Sequence, residues 1–441
     1  MTDLIALSAA EAAVQIARGH LSAEDYTRAC LDRIAALEPK VHAFTHLDSD
    51  YALEQARALD EHQVRGHVTG PLHGVPVAIK DVFDTFDFPT ECGSPLMKGR
   101  RLARDAAAVA RLRAAGAVIL GKTVTTEFAY FHPGATRNPH DPSRTPGGSS
   151  SGSAAAVAAQ MVPLAIGTQT NGSVIRPAAF CGVIGVKPSH GLNSRHGCLL
   201  LSRTLDHVGV FARSLADAAL ILGILAGFDA NDPDSRPGAP PDFEDAVEAE
   251  PKPRRLAFVR TQVWDKADLE ARRAVEDLAR RVGAETVDLD DSFAKAWVDH
   301  RVVMAADMAR QFGEIVSSGR ESDSSEQLRE LLAEGAATPA LRYLAAQDNR
   351  MRYRAGLGRI LADYDAILTP ATPGVAPKGE ATGNPAFNSL WSLTGLPSLT
   401  LPLLKGEDGM PLGVQLVCAP GDDARLMRVA RWLSAEVGAG L

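Results

Sequence analysis

The chain has 441 residues, of which 45% are hydrophobic and 23% charged, and a formal net charge of −8. That balance is ordinary for a soluble globular protein and argues against a general nucleic-acid binder, whose footprint is basic. Five scattered cysteines, with no CxxC pair and no His/Cys ligand spacing, argue against a disulfide framework and a structural zinc. Reduced thiols in the cytoplasm are expected.

The N-terminus carries Asp3 and Glu11 and no basic stretch before an apolar core, so it does not read as a signal peptide. No window of about 18 uninterrupted apolar residues predicts a transmembrane span. In chain order, Ser8 with Glu11 predicts a capped helix ended by Gly19, and Ser22 with Asp25 opens a second. VHAFTHL reads as a strand, and a helix over 49–62 follows. GVPVAIK is apolar and strand-like. RDAAAVARLRAA is a helix closed by Gly116, and AVILGK is a buried strand. SAAAVAAQMV predicts a short helix, VPLAIG and CGVIGVKPS strands, and SLADAALILGILAGF a helix with a buried face. NDPDSRPGAPPDFEDAVEAEPKPRR is a Pro-rich, charged surface excursion. RLAFVR and ETVDL are strands in a region otherwise helical over 267–363. YDAILTPATP, GLPSLTLPLL and PLGVQLVCAP are strands, and a last helix starts at Asp423.

Residues 146–176, PGGSSSGSAAAVAAQMVPLAIGTQTNGSVIR, hold two clusters of small residues on either side of a short helix and a buried strand. Glycine and serine at this density are costly in chain entropy and bury little, which points to backbone N–H groups and hydroxyls converging on a ligand. Lys80 closes the apolar run Val75–Ile79. An ammonium held there loses hydration, and its pKa falls toward neutrality, where the amine can act as a base.

Four rival readings fit less well. VAIK resembles the lysine strand of protein kinases but lacks the accompanying loops. Gly116 to Thr123 has P-loop spacing, but a helix precedes its first glycine and its middle is a strand. Gly148 to Gly152 fits a nucleophile elbow with Ser150 at its tip, although no strand leads into it; His190, His196, His207 and His300 could complete that arrangement. Plain flexible loops with helix caps would explain Ser149 or Ser173, but not both together with Lys80.

Lys80, GGSSSGSAAAVAA and GTQTNGSVIRPAAFCGVIGVKPSHG together resemble the amidase signature family of amide hydrolases. PLHGVPVAIKD, RDAAAVARLRAAGAVILGKT and the C-terminal strands extend the likeness over nearly the whole chain, apart from about residues 230–345. The resemblance implies Lys80 as base, Ser149 as a bridging serine after a cis Gly148–Ser149 peptide, and Ser173 as nucleophile. A serine hydroxyl needs a positioned proton acceptor, and a relay through Ser149 spans a gap that one side chain cannot. The oxyanion hole would be the backbone N–H groups of Thr170, Asn171, Gly172 and Ser173.

The likeness also implies an α/β fold, an α/β/α sandwich with one large mixed, mostly parallel sheet flanked by helices and the site at the sheet's edge. One domain over 1–441 is expected: an N-terminal helical part (1–65), a signature core (66–215), the Pro-rich excursion (228–255), a variable helical part (267–363) and returning strands and helix (364–441). No cofactor and no metal are implied, and a homodimer is a fair expectation.

The chain departs from the commoner family pattern GTDTGGSIR. Gln169 stands in place of an aspartate, Asn171 in place of a glycine, and Arg176 lies three residues after the nucleophile. Arg176 is either structural or a fork for a substrate carboxylate. GSVIRPAAFCG resembles malonamidase-type members, which implies hydrolysis of a small amide, such as a half-amide of a dicarboxylic acid, through an acyl-enzyme on Ser173. The alternatives are the amidase-like component of a tRNA-dependent amidotransferase, which releases ammonia from glutamine and needs partner subunits, and a non-catalytic amidase-like binding protein. Cys181 has no basic neighbour and reads as a buried thiol. The pocket side is expected from the middle helices and the Phe387–Trp391 segment.

Overall fold

The computed structural model describes residues 4–441, so Asp3 lies outside the described residues. Eleven strands form one sheet: β1 (Phe44–Leu47), β2 (Pro76–Lys80), β3 (Val118–Thr123), β4 (Leu164–Gln169), β5 (Ile184–Lys187), β6 (His207–Ala212), β7 (Leu256–Arg260), β8 (Glu285–Asp288), β9 (Ala366–Pro370), β10 (Ser398–Lys405) and β11 (Pro411–Val417). Their order is β1-β3-β2-β4-β6-β5-β10-β11-β9-β7-β8. β2, β3, β4, β5, β6 and β9 are buried along their whole length, which is why all of them except β6 read as continuous apolar runs and not as alternating ones.

The sheet is mixed, with helices on its faces, as expected. The expectation that it is mostly parallel gives way. Only β3–β2, β2–β4, β9–β7 and β7–β8 pair in parallel, and the other six junctions are antiparallel. The cause is β6, a strand that the sequence does not announce. It enters between β4 and β5 and pairs antiparallel with both, while β10 and β11 form a hairpin beside them.

Local signals set most helix boundaries. Ser8 and Glu11 make a reciprocal capping box at the Ala9–Ala17 helix, and Ser22 caps Ala23–Val41 through Asp25 N. The predicted helix over 49–62 runs Ser49–Val64, and Ala107–Ala114 is the shorter core of RDAAAVARLRAA. Outside the Pro-rich excursion, two α-helices have no counterpart among the expected elements, Ile175–Cys181 and Ala386–Thr394. Every residue in each is buried, so neither shows the apolar-and-polar contrast by which a surface helix is recognised. The Pro-rich excursion contains a short helix, Phe243–Glu248. No helix among the described residues is long and apolar enough to cross a membrane.

Candidate active site

β2 and β4 are parallel neighbours in the interior of the sheet, with Ile79 opposite Ile166, so their C-terminal ends open on the same side. In open α/β sheets this is where ligands bind. The candidate residues Lys80 and Thr170–Ser173 therefore lie at the C-terminal ends of central strands, along that edge of the sheet. β2 delivers Lys80. β4 delivers Thr168 and Gln169 and runs directly into the Thr170–Ser173 turn.

Lys80 is fully buried. Its Nζ lies 2.7 Å from Ser149 Oγ and 2.8 Å from Thr168 Oγ1, and among the described residues it forms no ion pair with a carboxylate. Burial pushes its pKa down to about 7, because two hydroxyls only partly replace the water that solvates an ammonium. The Gly148–Ser149 peptide is cis, as the resemblance implied. The structure thus brings Lys80 and Ser149 into direct contact. Among the described residues no hydrogen bond links Ser173 Oγ to Ser149 or Lys80; Ser173 O accepts from Ser150 N–H at 3.4 Å, and the residue lines a small pocket together with Arg176.

The Thr170–Ser173 turn has all four carbonyls tied back. Thr170 O accepts from His300 Nε2 at 3.1 Å, Asn171 O from Ser392 Oγ at 2.5 Å, Gly172 O from Arg176 N at 2.9 Å, and Ser173 O from Ser150 N. Burial lowers the His300 pKa to about 4, so its imidazole is neutral and donates through Nε2–H. Thr170 Oγ1 donates to Asp206 Oδ1 at 2.6 Å, and Asp206 Oδ2 accepts from the N–H groups of Leu201 and Ser202. Burial raises that carboxyl to about 6 against these bonds.

The two departures from the commoner pattern are built into the same network. Gln169 Oε1 accepts from Val174 N at 2.8 Å and Ile175 N at 3.0 Å, the opening N–H groups of the next helix. Its Nε2 donates to Ser392 Oγ at 3.0 Å, a bond that an aspartate could not make. Asn171 Oδ1 accepts from Ser389 Oγ at 2.7 Å. Ser389 and Ser392 lie on the Ala386–Thr394 helix, so an element with no signal of its own in the sequence holds both variant residues in place. Residues 387–391 were expected only to form a side of the pocket. Thr168 lies in the second small-residue cluster without an assigned role, Asp206 carries no sequence signal for the site, and His300 is expected only on the elbow reading.

Arg176 is buried, and burial lowers its pKa to about 9. Nη2 donates to Gly148 O at 2.7 Å, and the guanidinium sits 5.7 Å from the centre of the Phe131 ring. Its Nε and Nη1 have no hydrogen-bond partner among the described residues. Unpaired buried donors are costly, by about 1–3 kcal/mol each in ordinary cases and more when charged.

The rival readings are disposed of locally. Gly121, Lys122 and Thr123 are the end of β3, and Lys122 pairs with Asp81 at 2.9 Å, so no phosphate loop exists there. Ser150 Oγ is occupied with the backbone of Thr168, donating to its carbonyl at 3.2 Å. Cys181 is buried, its Sγ donating to Pro146 O at 3.4 Å, with its thiol pKa pushed up by burial.

The amidase family profile matches residues 25–427. One component of the glutamyl-tRNA(Gln) amidotransferase of Salinispora arenicola is 38% identical, over 99% of each chain. Among solved structures, the peptide amidase of Stenotrophomonas maltophilia is 32% identical with a TM-score of 0.83, covering 98% of this chain and 97% of that one. A chain from a vestigial protein complex bearing on the origins of an s-triazine catabolic enzyme is also 32% identical. Its TM-score is 0.91, with 98% and 99% covered.

Proposed function

The chain belongs to the amidase family, whose members hydrolyse C–N bonds, and from that premise we propose that it hydrolyses a small amide bearing a carboxylate, through an acyl-enzyme on Ser173. The observation that carries this reading is a buried lysine whose partners are hydroxyls, with no acid to hold its proton. Neutral Lys80 donates to Thr168, and its lone pair takes the Ser149 proton as Ser149 takes that of Ser173. The Ser173 oxygen attacks the amide carbon, and the carbonyl oxygen becomes an anion facing the N–H groups of Thr170, Asn171, Gly172 and Ser173. With the four carbonyls of that turn already engaged, its amides are preorganised for the charge. The relay then runs backwards and protonates the leaving nitrogen. Water repeats the cycle to release the acid.

Arg176 is the carboxylate partner in this reading: it lines the pocket together with Ser173, its Nη2 is held by Gly148 O, and no carboxylate of the chain pairs with it among the described residues. Two substrates fit this description. Full-length likeness to components of glutamyl-tRNA(Gln) amidotransferases favours glutamine as an ammonia source, with partner chains and a cytoplasmic setting. A half-amide of a small dicarboxylic acid is the second reading and rests on Arg176 alone. Ammonia release by the purified chain from glutamine and from half-amides tests the common claim. Release that persists in Ser173→Ala would overturn it.

A further inference from the structure

The pocket shared by Ser173 and Arg176 holds only about 20 Å³ and is lined also by Ala129, Tyr130, Phe131, Leu201 and Met304. A hollow of about 720 Å³ lies beyond it, lined by Pro133, Leu331, Thr382 and Pro385 among others. Tyr130 and Phe131 line both spaces. Their rings meet edge to face at 4.9 Å, and the Phe131 ring lies beside the Arg176 guanidinium. A water needs roughly 10–15 Å³ of such space, so the inner pocket takes about one small group, whereas the outer hollow falls within the roughly 300–1,000 Å³ range of ligand clefts.

The wall is held firmly. Phe128 and Ala129 just before it have φ of 46° and 56°, a left-handed conformation that non-glycine residues adopt only where neighbours impose it. Phe128 N donates to Cys92 O at 2.8 Å, Ala129 N to Thr126 O at 2.9 Å, and Tyr130 N to Glu127 O at 2.8 Å. Thr126 Oγ1 bonds Tyr130 O, and Thr126 N reaches Ser149 O at 3.4 Å. The turn that presents the two rings is thereby fastened to the bridging serine itself.

We propose that Phe131, backed by Tyr130, is the wall that sets the length of acyl group this enzyme accepts between Ser173 and Arg176. The shortest carboxylate-bearing acyl groups fit on the inner side, and the leaving amine emerges into the outer hollow. The proposal rests on the reading of Arg176 as the carboxylate partner. Glutamine, whose amide and carboxylate are separated by three carbons, belongs at the long end of this scale and should be a slow substrate of the isolated chain.

The test is kcat/KM for half-amides of dicarboxylic acids with one to four methylenes, each with ammonia or benzylamine as leaving group. Uncharged straight-chain amides of matching length form a parallel series. Wild type should lose at least tenfold between one and three methylenes and should tolerate benzylamine within tenfold. Phe131→Ala should raise the rate on the longest acyl groups at least tenfold, with Phe131→Leu between the two. Phe131 is partly exposed, so both variants should keep a wild-type melting temperature within a few degrees. An unchanged length preference in Phe131→Ala, or none in wild type, would overturn the wall. Turnover of the uncharged series alone, with a cut-off that still moves in Phe131→Ala, would instead overturn the Arg176 reading and leave the wall standing.

Discussion

The pH dependence of the reaction follows from Lys80. Its amine must be neutral to accept a proton, and burial brings its pKa from an ordinary 10.5 to about 7. For a single titrating base at that value, about a tenth of the enzyme is active at pH 6, half at pH 7 and nine-tenths at pH 8. kcat/KM for a substrate that does not itself titrate should therefore rise about tenfold from pH 6 to 8 and then level off. An ordinary lysine would give a rate still climbing about tenfold per unit at pH 9, and that result would refute the reasoning. Asp206, at about 6, lies on the same flank through Thr170. Asp206→Asn should lower the plateau and move the limb below 7, because the Asp206 charge holds the Lys80 pKa up. Stability should show the same group with a defined sign. Between about 7 and 10.5 the unfolded chain binds the Lys80 proton and the folded chain does not, so unfolding free energy rises with pH across that window. The slope is at most about 1.4 kcal/mol per unit from this one site. Lys80→Met should lose activity by about 10²–10⁴ and lose that share of the slope, readable by denaturant titration at several pH values.

Three further outcomes follow. Ser392→Ala removes the donor to Asn171 O and the acceptor for Gln169 Nε2, and should cost about 1–3 kcal/mol in chemical denaturation and lower kcat more than it raises KM. Gln169→Glu keeps an oxygen for Val174 N and Ile175 N but buries a negative charge beside the oxyanion turn. kcat should fall at least tenfold at pH 8, and an unchanged kcat would contradict the placement of the oxyanion there. Arg176→Lys keeps a charge but not the fork. KM for carboxylate-bearing amides should rise at least tenfold while uncharged amides are little affected in a parallel assay.

The signature residues are legible in the sequence because their chemistry is local. Lys80 ends an apolar strand, and the serine and glycine clusters add little apolar burial for their cost in chain entropy, so the residues themselves point to the site. Legibility fails at three buried elements that lack the long apolar run by which β2, β3, β4, β5 and β9 are recognised. β6 and the Ile175–Cys181 and Ala386–Thr394 helices carry no solvent-facing side to betray their period. The loss of β6 turns an expected parallel run into an antiparallel centre. The loss of the Ala386–Thr394 helix hides the partners of Gln169 and Asn171, which lie more than 200 residues away in the chain. Such pairings are set by topology, and no spacing within one segment records them.

The account stands most directly on where the acyl group goes. Wild type should be mixed with a slowly hydrolysed carboxylate-bearing amide, quenched in acid and digested for mass spectrometry. The acyl mass is expected on the peptide at Ser173, and absent from Ser173→Ala and from Lys80→Met. An adduct on Ser149 or Ser150, or steady turnover with no adduct on any serine, would contradict the account.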